Sequence, residues 1–281
     1  MKAHHASHAP GTALSAQRLT LRAGTRTLLD TFTHTFYPGE IWCIAGPNGA
    51  GKTTLISALA GLSQPSAGHV EIDGVRLTDW QPLPLAQRRA LMPQSAHDAF
   101  SASVLDIVML NRYPHLNGWG WEGEADRAAA HAALDVLGLT GFAARDVLSL
   151  SGGERQRVAL AAVLCQDAPL LLLDEPLSHL DLHHQIDCLD ALSAWTREPR
   201  RTVMFSCHDM NLARRFATHA LLLDGQGSAY AGPVRDVLTP ALTSRAFGYP
   251  LILIRDGEHE ALIPAPRSRH ESLTGHDTSA G

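Results

Sequence analysis

No stretch of this chain approaches the roughly 18 to 20 consecutive apolar residues that a helix needs to cross a bilayer. Any membrane attachment is therefore expected to come through a partner. A strong excess of one charge is also missing: 23 Lys and Arg stand against 28 Asp and Glu, a formal net charge of −5. That balance does not point to nucleic acid, although net charge says nothing of a local patch. Cysteine is scarce, at four residues. Cys43, Cys165, Cys188 and Cys207 form no C-x-x-C pair, and three of them lie in apolar runs. This spacing argues against a disulfide framework or zinc site and for buried thiols in a reducing cytosol. The opening MKAHHASHAPG has no apolar h-region, so a secretory signal is not expected. His4, His5 and His8 there are read as part of a mobile tail, residues 1 to 11, in preference to a metal site.

What the chain does have is ordinary globular composition. Of 281 residues, 45% are hydrophobic and 18% charged, enough for one large α/β domain or two small ones. After the tail, alternating segments broken by Ala-Gly and Pro-Gly predict a strand meander. IWCIAG predicts a buried strand feeding a glycine loop, and KTTLISALAGL a helix closed by Gly61. Asp73-Gly74 marks a hairpin turn in SAGHVEIDGVRL, and Asp256-Gly257 marks another near the C-terminus. From about 96 to 160 the pattern becomes helical and alanine-rich, as in an inserted helical subdomain. PLLLLDEP and RTVMFSCHD read as buried strands, and HALLLDGQGSAYAGP as a strand pair at a sheet edge. Apolar strands alternating with helices predict a mainly parallel sheet covered on both faces.

The glycine loop GPNGAGKT fits G-x-x-x-x-G-K-[ST] at Gly46, Gly51, Lys52 and Thr53, in the strand–loop–helix context that pattern requires. In the loop Gly46, Pro47, Asn48, Gly49, Ala50 and Gly51, the glycines let backbone N–H groups turn inward around anionic oxygens. The next helix, with Thr54 in its first turn, adds the positive end of its dipole. Lys52 supplies a point charge for phosphate, and the Thr53 hydroxyl suits Mg²⁺. Downstream, Asp174 ends an apolar strand and can hold the metal, while Glu175 can orient or deprotonate an attacking water. Ser151, Gly152 and Gly153 stand before a second periodic helix and offer a hydroxyl, close backbone approach and another helix N-terminus. A chain with one nest for ATP does not need a second, so this one is expected to serve an ATP on a facing subunit. His208 ends a further apolar strand, and its neighbour Asp209 can cap the helix that follows.

Taken together and in order, GPNGAGKT, LSGGERQ, LLLLDEP, SHLD and SCHD resemble the nucleotide-binding subunit of ABC transporters over about residues 12 to 240. The resemblance implies a P-loop NTPase of α/β class. It has a mainly parallel core, an antiparallel β subdomain and an inserted helical subdomain, within one ABC domain over residues 12–265. Residues 266–281 then form a polar tail. It further implies that Gln94 touches Mg²⁺ and senses a membrane partner, and that Ser151 and Gly153 close on the γ-phosphate across a homodimer. Asp181 links the two sites, and His208 contacts the γ-phosphate and helps position water. One family feature is missing. Where an aromatic residue usually stacks on adenine the chain has LRAGTR, with Ala23 or Arg22 in the place; either Arg22 stacks its guanidinium plane or adenine is held loosely.

The interval between Lys52 and Ser151 leaves no room for the long coiled coils of DNA-repair ABC ATPases, and one motif set argues against translation factors. LTDWQPLPLAQRRALMPQ, VLDIVMLNRYPHL and DLHHQ resemble the importers of metal chelates. Those systems pair two ATPase chains with a separate polytopic permease and a periplasmic binding protein, at the cytoplasmic face of the inner membrane. Cobalamin is the expected cargo, ahead of haem and ferric siderophores. Arg112, His115, Trp119 and Trp121 are candidates for the rim of a permease-docking groove, with Phe100 as core. A nucleic-acid-linked ABC ATPase, a non-catalytic scaffold and a simple kinase fit less well; the last leaves LSGGERQ unexplained.

Overall fold

The computed structural model describes residues 14–94, 101–116, 122–198, 200–257 and 259–266. The histidine-bearing tail, Phe100, Trp119, Trp121 and residues 267–281 lie outside them.

The strands are β1 (Leu14–Ala23), β2 (Arg26–Phe36), β3 (Ile41–Ala45), β4 (Ala67–Ile72), β5 (Val75–Arg76), β6 (Arg89–Met92), β7 (Leu170–Leu173), β8 (Thr202–Ser206), β9 (His219–Leu223), β10 (Ala229–Pro233), β11 (Leu251–Asp256) and β12 (His259–Pro264). The helices are α1 (Lys52–Leu59), α2 (Pro82–Ala86), α3 (Val104–Met109), α4 (Glu124–Val136), α5 (Gly152–Cys165), α6 (Leu182–Thr196), α7 (Met210–Phe216), α8 (Val234–Val237) and α9 (Pro240–Phe247). One sheet has the order β10-β9-β3-β8-β7-β6, parallel except for β10 at the edge. A second, antiparallel sheet has the order β2-β1-β4-β5.

The two-residue period of a strand divides the interior in two. In β3, Ile41, Cys43 and Ala45 join the core under α5, α6 and α7. Trp42 and Ile44 join the other core, which includes buried residues of α1 and of the antiparallel sheet. β7 follows the same rule, with Leu171 and Leu173 on one side and Leu170 and Leu172 on the other. Burial on both faces explains why these strands are continuous apolar runs rather than alternating ones. All four cysteines are buried.

The Asp73-Gly74 hairpin forms as the sequence predicts, with Ile72 paired to Val75; in the second hairpin Asp256 pairs with His259 as the last residue of its strand, so the turn begins at Gly257, one residue later than expected. Both Asp73 and Gly74 have positive φ, as a type I′ turn needs. Since β3, β7 and β8 run parallel, their C-terminal ends lie side by side. Open α/β sheets gather ligands at that edge. Here it carries the loop 46–51, the Asp174-Glu175 pair and His208.

Candidate active site

Gly46 leaves β3 with φ 147°, and a Cβ there would lie 2.6 Å from the Leu223 carbonyl oxygen. Only glycine lets the chain turn away against β9 at that point. The loop then enters α1 at Gly51, with no side chain capping the helix and no acidic residue in its first turn. The helix therefore presents uncapped amides and the positive end of its dipole. Lys52 is only 7% exposed. Its Nζ donates to the carbonyls of Gly46 (3.0 Å) and Pro47 (3.3 Å). Burial lowers the Lys52 pKa, opposed by the nearby Glu175 and Asp174 carboxylates. A desolvated ammonium whose hydrogen bonds, among the described residues, go to two carbonyls is well placed to gain from an incoming anion.

Asp174 is 2% exposed. The pairing of Leu173 with Phe205 sets Asp174 beside Ser206, whose Oγ donates to Asp174 Oδ1 (2.7 Å) and accepts from Glu175 N (2.7 Å). The Glu175 carbonyl accepts from Gln156 Nε2 (2.8 Å) and Ser178 Oγ (3.0 Å). These contacts hold Glu175 at φ 53°, unusual for a non-glycine residue. Its Oε1 lies 2.9 Å from His208 Nε2. Asp209 caps α7, accepting from Asn211 N (2.7 Å) and Leu212 N (3.1 Å). The two adjacent residues thus divide into a site histidine and a helix cap.

A cleft of about 590 Å³ brings Lys52, Thr53, Thr54, Gln94, Glu175 and His208 together with Asn48, Gly49 and Gly51 of the loop. Ala23, Arg26 and Leu28 line it as well. Arg22 is not among the lining residues. Ser151, Gly152, Gly153 and Asp181 lie elsewhere, in a separate depression of about 730 Å³ shared with His179 and His184. Ser151 and Glu154 form a capping box at the start of α5: Glu154 N donates to Ser151 Oγ (3.3 Å), and Ser151 N to Glu154 Oε2 (2.7 Å). The Ser151 amide, with its hydroxyl and Arg145, holds the Glu154 carboxyl below its usual range. Asp181 caps α6, accepting from His184 N (2.9 Å), and that hydrogen bond holds its carboxyl below the usual range.

Gln94 also lines an apolar groove of about 400 Å³ with Ile107, Asn111, Gln156, Val158 and His179. Arg112 and His115, expected at a groove rim, face inward. Arg112 Nη1 donates to Cys165 O (3.0 Å) and its Nε to Asp126 Oδ1 (3.1 Å), while His115 Nε2 lies 2.7 Å from Gln166 O. Both satisfy carbonyls at the C-terminus of α5, where positive groups also suit the dipole. Sequence reading missed Ser206, Gln156 and Arg26. A hydroxyl ending the otherwise apolar VMF run was the available signal for Ser206; the other two had none.

A family model for the ABC transporter domain matches residues 29–178. This chain belongs to the ABC transporter ATPases. The hemin import ATP-binding protein HmuV of Nocardia farcinica is 43% identical over 231 residues, 80% of this chain and 77% of that one. The ferric enterobactin transport ATP-binding protein FepC of Escherichia coli is 35% identical over 243 residues, 86% of this chain and 90% of that one. A solved metal-chelate type ABC transporter in an inward-facing conformation matches with TM-score 0.78 and 30% identity, over 90% of this chain and 98% of that one. As an ABC ATPase the chain binds and hydrolyses ATP. Among the described residues, no helix is long and apolar enough to cross a membrane.

Proposed function

We propose that this ABC ATPase energises uptake of a metal chelate through a separate permease, working as a homodimer at the cytoplasmic face of the inner membrane. A periplasmic binding protein delivers the cargo. Cobalamin led the expectation from sequence; the relatives named above carry hemin and ferric enterobactin, and hemin is the cargo to assay first. The ABC domain covers residues 12–265, with its helical part at about 96–160 and tails at 1–11 and 266–281.

The observation that carries the mechanism is that Ser151 and Gly153 do not line the cleft of Lys52 in their own chain. In the proposed dimer each ATP lies between Lys52 and the loop amides of one chain and Ser151, Gly152 and Gly153 of the other. Lys52 stabilises charge on the phosphates. Glu175 accepts the proton of the attacking water, and His208, hydrogen-bonded to Glu175, positions it. The oxygen donors of Thr53, Gln94 and Asp174 suit a hard divalent ion. When bound, Mg²⁺ neutralises charge between the β- and γ-phosphates. Gln94 borders both the cleft and the apolar groove, so a permease helix docked in the groove would feel closure of the site.

Replacing Glu175 by Gln should cut turnover about 10²- to 10⁴-fold and leave a dimer stable in ATP and Mg²⁺, seen by light scattering after gel filtration. A monomer under those conditions would refute the shared-site reading.

A further inference from the structure

Among the described residues the cleft is lined by no aromatic ring other than that of His208, so the base has no obvious seat. Ala23 ends β1, and its direct cross-strand partner is Arg26, the first residue of β2. Directly opposed residues in an antiparallel pair carry their side chains on one face, roughly 5 Å apart at Cβ. The small side chain of Ala23 thus leaves open the space that an arginine two turn residues further on can fill. Both residues line the cleft.

The guanidinium is fixed from outside. Arg26 Nη2 donates to the Gly225 carbonyl at 2.6 Å, tying the β1–β2 hairpin to the turn between β9 and β10. Gly225 has φ 72°, and a Cβ there would lie 3.1 Å from Nη2, so glycine permits this approach. On the other side, Nη1 lies 3.7 Å from where a Cβ of Gly49 would be. Among the described residues no carboxylate pairs with Arg26. An exposed arginine held by one edge, without an ion partner, keeps a planar face available for stacking.

We infer that the Arg26 guanidinium supplies the plane on which the nucleotide base stacks, in the place an aromatic ring would otherwise take. This rests on the reading of the cleft as the ATP site. Lys52 and the loop amides hold the phosphates, and Arg26 sets how firmly the base end is gripped.

The test is calorimetric titration of the full-length protein with ATP and, separately, with inorganic tripolyphosphate, which has no base. Arg26→Ala should weaken ATP about five- to tenfold and leave tripolyphosphate unchanged. Arg26→Lys, which keeps the charge but not the plane, should lose as much as Arg26→Ala. Adding Ala23→Tyr to Arg26→Ala should restore ATP affinity. An equal loss for tripolyphosphate, full retention by Arg26→Lys, or no rescue by tyrosine would overturn the inference. If Lys52→Ala weakened neither ligand, the assignment of the cleft itself would fall, and this inference with it.

Discussion

Two helices in this molecule begin at glycine-containing loops, and their ends are finished in opposite ways. α1 starts at Gly51 with no capping side chain and no acid in its first turn. Its lysine is buried and donates to two carbonyls of its own loop. α5 starts at Ser151 with a complete capping box, and Glu154 turns back onto the Ser151 amide. Gly153 packs so closely on the next loop that a Cβ would come within 3.0 Å of the His179 carbonyl. The first end has no side-chain cap, whereas the second carries its own. An end that already has its own cap gains less from a free nucleotide than from one presented in a fixed geometry. That difference fits a loop that takes ATP from solution and a second loop that closes on ATP already held by another chain.

The sharpest way to break the comparison is to disable each end in turn. Lys52→Ala should weaken ATP binding about tenfold to 100-fold, since a charge-assisted contact in a buried setting is lost. Ser151→Ala should leave binding to the isolated chain within about twofold and reduce turnover about 100-fold. Equilibrium binding and steady-state hydrolysis on both variants separate the two roles; equal binding losses would erase the distinction.

The far end of α5 gives a smaller effect. Arg112 is 15% exposed at its side chain, paired with Asp126 and bonded to the last turn of α5. Arg112→Ala should destabilise the fold by about 2 to 4 kcal/mol in urea unfolding, through an unpaired Asp126 and an uncapped carbonyl. A variant as stable as the parent would return Arg112 to the surface role first expected of it.

The smallest effect concerns pH. The Glu154 carboxyl is held below its usual range, first by the Ser151 amide. A group with a depressed folded-state pKa stabilises above its unfolded value, and that contribution fades as pH falls through the lowered one. Glu154→Gln keeps the hydrogen bond and removes the charge. It should lower Tm by about 1 to 2 °C at pH 7, with the difference vanishing in acid below the lowered pKa. α1 has no acid in its first turn, so nothing there fades in the same way as pH falls.

Much of this was legible in the residues, because local rules govern it. The glycine loop, the Asp73-Gly74 hairpin, the buried strands and the acid pair all depend on neighbours within a few positions. What was not legible depends on pairing across distance. Ser206 reaches Asp174 only because β7 and β8 register Leu173 against Phe205. Arg26 rather than Arg22 faces the cleft because of its pairing opposite Ala23, in a hairpin whose register shifts between Leu21 and Arg22. Arg112 turns inward because the C-terminus of α5, which the sequence places 53 positions later, ends beside it. No pattern within its own segment announces that partner.

The central claim is that each triphosphate is shared between two chains, and mixing inactive variants tests it most directly. Lys52→Ala and Ser151→Ala chains should each be nearly inert alone. In a mixed dimer, one of the two sites has the Lys52 of one chain and the Ser151 of the other, both intact. Steady-state ATPase measurements on an equal mixture should therefore recover about a quarter of the parent activity when subunits exchange at random. A mixture as inactive as its components, with mixed dimers shown to form, would contradict the account.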